Sequence, residues 1–242
     1  MAEMRQFHVY DCALMGAGPM RVILATILVV GAVVTAVGAA PPAAAEPETC
    51  PPVCDRIPAT AWISAREVPL DAHYRWPALA GNAVAMTGTT PRFRFEPVCG
   101  TPRFPQDSRN SAVAGRVTVV HPEGQWQLQA QVLHWRGDTA QGGAIAASVF
   151  GAAVTALRAC QLGAPLQSPS VTEDEPTRMA AVISGPVIMR TYLVAHTWSS
   201  TISELTLWTS GPPQVPWPVI SDAEVLDSML APLCEAYLGS CP

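Results

Sequence analysis

Downstream of residue 45 the chain carries four histidines and six cysteines, the side chains best suited to chemistry. Cys50-x3-Cys54 with His73 offers the ligand types of a zinc site. Such sites usually hold a second closely spaced ligand pair, and that pair is missing here. His134 and His196 each lie at a strand end beside a tryptophan, in "LHW" and "AHTW". They read either as a paired polar site at one edge of a sheet or as two satisfied sheet histidines. A serine hydrolase would join a serine, a histidine and an acid, and many such combinations can be drawn. No G-x-S-x-G elbow and no H-E-x-x-H zinc-protease motif is present to single one out. Glu173-Asp174-Glu175 supplies the oxygens a hard cation such as calcium prefers. It lacks the alternating ligands and glycine of a calcium loop, which favours a solvated loop. The sequence therefore assigns no catalytic, cofactor-binding or metal residues.

The compartment decides how the cysteines are read. Val22 to Ala40 is a run of nineteen uncharged residues behind Arg21. Its strongly apolar part, Val22 to Val34, has the length of a secretory h-region, and Ala43-Ala44-Ala45 supplies an A-x-A cleavage site. Residues 21–45 are thus a signal peptide or, in the alternative, a membrane anchor. Arg5 and Arg21 on the N-terminal side place residues 46 onward outside the cytoplasm in either case. Residues 1–20 form an odd prefix, and Met20 is a second candidate start. Cys50 follows Pro-Glu-Thr rather than a lipobox, which disfavours lipid attachment. Cys12 precedes the export segment, leaving Cys50, Cys54, Cys99, Cys160, Cys234 and Cys241 as disulfide candidates in an oxidising compartment.

Composition removes several classes. All fourteen basic residues are arginine, so P-loop, Schiff-base and Ser-x-x-Lys chemistries lack their lysine. The net charge is −5 and no basic cluster exists to displace phosphate counterions, which argues against nucleic-acid binding.

The elements that would position any site follow from periodicity. Residues 46–58 are a proline-rich lead-in to a single domain over 59–242, and "TPRFRFEPVCGTPRFP" suggests a short strand with irregular flanks. "GRVTVV" and "WQLQAQVLHW" flank the turn composition His121-Pro122-Glu123-Gly124 and predict a hairpin. In its second arm, apolar residues alternate with Gln127, Gln129 and Gln131, the mark of a half-buried strand. "GGAIAASVFGAAVTALRAC" predicts a largely buried helix with Ala146, Phe150, Ala153, Val154 and Leu157 on its apolar stripe. After a polar loop holding "TEDEPT", runs 178–184, 187–198 and 201–209 predict an antiparallel meander. Ser221 and Glu224 form a capping box for a last helix kinked by Pro232. Trp126, Trp198 and Trp208 fall on strands as core residues. Trp217, in "GPPQVPWPVIS", sits in an extended connector able to dock in an aromatic groove or simply crossing to the last helix. The expected fold is α+β: an antiparallel sheet of five or six strands with two main helices packed on one face, stabilised by disulfides. The best single pairing is Cys160 with Cys234, helix to helix.

"ALRAC" ending at Cys160, "VIMRTYLVAHTW" and "DAEVLDSMLAPLCEAYLGS" carry a resemblance. In this order of elements the chain resembles the extracellular sensor-like domain of mycobacterial receptor serine/threonine kinases. That domain also occurs in stand-alone secreted proteins and lipoproteins of the mycobacterial envelope. The likeness covers 115–240 and implies an antiparallel sheet with packed helices, intramolecular disulfides, a ligand cleft and no catalytic residues. No kinase motif is present. The expectation is an exported, non-enzymatic envelope protein without a cofactor, whose partner is an unknown envelope ligand or protein. Membrane association would run through residues 21–45. A secreted hydrolase and a structural subunit of an envelope complex are the alternatives.

Overall fold

The computed structural model describes residues 49–86 and 91–241; the prefix 1–20, the apolar segment 21–45 and residues 46–48 lie outside the described residues. Seven strands form one antiparallel sheet: β1 (Val84–Ala85), β2 (Val113–Val119), β3 (Gln127–His134), β4 (Ser168–Asp174), β5 (Arg178–Ser184), β6 (Val187–His196) and β7 (Thr201–Ser210). Their spatial order is β1-β2-β3-β7-β6-β5-β4, so β7 is central. The β2–β3 hairpin and the β5–β6–β7 meander stand where alternation and turn residues put them. At the hairpin turn Gly124 takes a φ of 77°, a conformation costly to residues with a Cβ. β1 and β4 are additional. β4 takes up part of the stretch read as a polar loop, and its exposed alternation, its Pro169 and the irregularity between Val171 and Glu173 suit a sheet edge.

Short helices α1 (Asp71–Tyr74), α2 (Leu79–Asn82), α3 (Phe95–Val98) and α5 (Cys160–Gly163) accompany two long ones, α4 (Thr139–Arg158) and α6 (Asp222–Ala236). Asp138 caps α4 by accepting the Gln141 N–H at 2.8 Å. Ser221 caps α6 by accepting the Glu224 N–H at 3.2 Å, and α6 continues through Pro232. The Arg-Phe alternation at 92–95 is not a strand: Phe93 and Phe95 are buried, but the backbone turns into α3 at Phe95.

The α+β class and the antiparallel sheet hold, yet the long helices cover opposite faces rather than one. Tyr192, Val194, Leu205 and Leu207 pack with Val225, Leu226, Met229 and Leu233 of α6. Their neighbours Leu193, Ala195, Ile202 and Trp208 pack with Ala146, Phe150, Val154 and Leu157 of α4. Side chains of opposite parity on the central strands point to opposite faces, and both sets are buried, so each face needs its own cover. The predicted stripe of α4 is buried as expected, but its other side is exposed, so this helix is half rather than largely buried. The Gln-bearing face of β3 is buried too, with Gln129 and Gln131 inside.

This layering corrects the expected cysteine pairing. The sheet lies between Cys160 and Cys234, and the bridges are Cys50–Cys54, Cys99–Cys160 and Cys234–Cys241. The zinc reading of Cys50, Cys54 and His73 falls with it, because both sulfurs are bonded to each other. Cys50 also anchors the lead-in: its N–H donates to Ala236 O at 2.9 Å and its carbonyl accepts from Leu238 N–H at 3.0 Å.

The bridges close loops of very different length, 61 residues for Cys99–Cys160 and 4 for Cys50–Cys54. Constraint of the unfolded chain scales with that length, at ~4 against ~2 kcal/mol. The double variant Cys99→Ser/Cys160→Ser should therefore show a clearly lower urea midpoint than Cys50→Ser/Cys54→Ser, measured by circular dichroism.

Candidate ligand-binding groove

The segment 91–111 crosses the α4 face of the sheet and leaves a groove of about 290 Å³ against the helix. Phe93 and Phe104 form one wall, and Val149, Ala152 and Ala156 of α4 the other, with Glu96, Asp107 and Arg109 at the polar side. The Cys99–Cys160 bridge joins the two walls. Gly100 and Gly163 meet beside it, where a Cβ on Gly100 would stand 2.7 Å from Gly163 O.

Arg109 organises the polar side. Its guanidinium donates to Glu96 Oε1 and Oε2, each at 2.9 Å, and to Asp107 Oδ2 at 2.6 Å. Burial alone would raise the Asp107 pKa, but Arg109's hydrogen bonds and charge outweigh it and hold that carboxyl below its ordinary range. The same two carboxylates keep Arg109 charged against its own desolvation. Behind this triad a buried polar layer reaches the sheet centre. Glu204 of β7 accepts from Arg94 N–H at 2.5 Å, from Gln129 Nε2–H at 3.1 Å and from Thr206 Oγ1–H at 3.2 Å. Arg116 donates to Gln131 Oε1 at 2.7 Å, and the Arg94 guanidinium lies 4.3 Å above the Trp208 ring. Full desolvation pushes the Glu204 carboxyl up to about 7, against the lowering from its hydrogen bonds and Arg116. The glutamines of β3 gave the only sequence signal for this layer.

A shallower hollow of about 380 Å³ lies further toward the N-terminus of α4, between Ala140, Gly143, Ala144, Ala147 and Trp198. Trp198 is not the core residue expected: it sits in the turn Thr197–Ser199 and is 70% exposed. That turn is seated directly on α4, since a Cβ at Gly143 would come 2.4 Å from Thr197 O. Phe104, 62% exposed, belongs to the groove toward the other end of the helix.

His134 and His196 are brought to either side of Thr201, each paired with it in the sheet. His134 Nε2–H donates to Cys54 O at 2.7 Å, its Nδ1 lies 3.1 Å from Thr201 Oγ1, and its ring stacks on Tyr237. His196 Nδ1 lies 2.6 Å from Ser199 Oγ and Nε2 3.3 Å from Cys241 Sγ. Both nitrogens of each ring are engaged, none by a carboxylate, and Ser199 is fully buried. Burial holds both imidazoles below their ordinary range. In the acidic run, Asp174 pairs with Arg158, and Glu175 accepts from Arg178 at 2.7 Å, which neutralises much of the charge a cation would meet. Trp217 packs edge-on against Trp126, whose Nε1–H donates to Val215 O at 2.8 Å, so the proline-rich connector is seated on its own sheet. Compared with known proteins, the chain matches no family model, no curated protein and no solved structure.

Glu204 links folding to protons. Between its ordinary 4.5 and about 7, the folded state keeps a proton that the unfolded chain has released, so this group's contribution falls as pH rises through that window. The variant Glu204→Gln should gain ~1–3 kcal/mol on the parent between pH 4.5 and pH 8 in denaturant melts. The two histidines act alike in both proteins and cancel in that difference.

Proposed function

We propose that this chain is an exported, non-enzymatic envelope protein that binds a ligand or a protein partner along the outer face of α4. One observation carries the reading: small residues, Ala140, Ala144, Ala147, Ser148 and Ala152, line a strip with Trp198 toward one end and Phe104 toward the other. Exposed aromatics beside a concave apolar surface with a few fixed polar groups are the usual make-up of a binding site. Arg109, committed to Glu96 and Asp107, gives the groove a rigid polar edge. Three disulfides fit an oxidising, extracytoplasmic compartment. A cleft on a sheet-and-helix scaffold with no catalytic motif is also what the likeness to the sensor-like domain implies.

A photo-crosslinking residue placed at Phe104 or at Trp198, in cells making the full chain, should give the same adduct. Placed at the exposed Val219, on the connector, it should give none. Ala152→Arg should remove the adducts while leaving the melting temperature within a few degrees, because a lone surface change seldom exceeds ~0.5 kcal/mol. Absence of any adduct would count against the reading. Turnover on ester, peptide or glycoside panels that disappears in His134→Ala or His196→Ala would favour the hydrolase instead.

A further inference from the structure

On the α6 side of the sheet, away from the groove, three metal-ligating atoms meet at the end of β6. His196 Nε2, Cys234 Sγ and Cys241 Sγ all lie within 4.8 Å of one another. In the structure the two sulfurs are bonded to each other. We infer that reduction of the Cys234–Cys241 bridge turns this corner into a Cys2His site for zinc(II).

The imidazole is already aimed at the sulfurs: Nε2 faces Cys241 Sγ at 3.3 Å. On the other side of the ring, Nδ1 lies 2.6 Å from Ser199 Oγ, a hydroxyl that can donate or accept. With a metal on Nε2 the ring proton sits on Nδ1 and that hydroxyl accepts it. This is the outer-shell arrangement that fixes a metal-binding histidine. Tetrahedral zinc, with Zn–S of ~2.3 Å and Zn–N of ~2.0 Å, holds its ligand atoms ~3.5–3.8 Å apart. The three ligand atoms here already lie within 4.8 Å of one another, so reaching that spacing takes a parting of the two freed sulfurs. Next to Cys241 in the chain, Ser240 buries a hydroxyl with no partner among the described residues.

The corner does not depend on its bridge for placement. Backbone hydrogen bonds from Cys50 to Ala236, from Leu238 to Cys50 and from Ser240 to Tyr237 hold the segment that leads into Cys241. Cys234 and Cys241 are both part-exposed, whereas the Cys50–Cys54 bridge has one part-exposed residue, Cys54, and the Cys99–Cys160 bridge has none. A reductant therefore has two approaches to this bridge, against one or none at the others.

The chemistry balances with a dithiol. Its thiolate attacks one sulfur, the S–S bond breaks, and the reductant leaves as its own disulfide after giving up two electrons and two protons. Zinc(II) then displaces the two thiol protons to solvent and takes the Nε2 lone pair, with water in the fourth position.

The test uses the full chain under native conditions with limiting phosphine reductant, alkylation mapping of the cysteines and anaerobic titration with cobalt(II), then zinc(II). The expected result is reduction of Cys234–Cys241 ahead of the other bridges with the circular dichroism spectrum kept. One cobalt should bind per chain, with tetrahedral visible bands and thiolate-to-cobalt absorption, and zinc should displace it. His196→Gln or Cys241→Ser should abolish those bands. Ser199→Ala, which keeps every ligand, should weaken binding ~10–100-fold. The inference is overturned if the bridge resists reduction in the folded chain, if its reduction unfolds the protein, if the reduced chain takes up no cobalt, or if uptake survives His196→Gln.

Discussion

The carboxylate of Glu204 sits on the central strand of the sheet, with almost no contact with water. An ionisable group there is tolerable only if its oxygens are met, and the partners come from three directions: Gln129 from β3, Thr206 from β7 itself and the Arg94 backbone from the crossing segment. That last bond joins residues far apart in sequence and fixes where 91–111 lies over the sheet. The position of Phe93, Glu96 and Arg109, and hence of the groove, follows from it. A leucine at 204 would suit the sheet and leave the crossing segment without its polar anchor.

The two faces do different work. The α6 face is a conventional apolar core, closed at one end by His134, Tyr237 and the lead-in held through Cys50. The α4 face mixes an apolar cluster with the charged layer of Arg92, Arg94, Arg109, Arg116, Glu96 and Glu204. Buried ion pairs of this kind add little net stability and are costly to break one partner at a time. They specify position, and here they position the segment that makes the groove.

Much of the fold was legible because its elements bury simple patterns. The hairpin, the meander, the stripe of α4 and the Ser221 cap all read directly from period and capping residues. The disposition of the helices was not legible, because a strand buried on both faces through polar side chains reads as half-buried until its partners are known. Gln129 and Gln131 look like solvent-facing residues when the arginines and the glutamate that meet them stand elsewhere in the chain. The disulfide pairing depended on the same fact, since placing Cys160 and Cys234 on opposite faces separates them. Trp198 was misplaced for a smaller reason: β6 stops at His196, and the turn that Gly142 and Gly143 accommodate throws the ring outward. The groove itself left no mark in the sequence beyond a helix whose outer side is mostly alanine, glycine and serine.

The Cys99–Cys160 bridge has a consequence for recognition rather than for folding. It ties the segment that supplies Phe93 and Phe104 to the end of the helix that supplies Val149, Ala152 and Ala156. The width of the groove is thus set before anything enters it. An occupant meets walls whose freedom has already been removed by a covalent bond, so little of its contact energy goes into ordering the protein. Under the binding role proposed above, selection would rest on shape more than on adjustment of the protein.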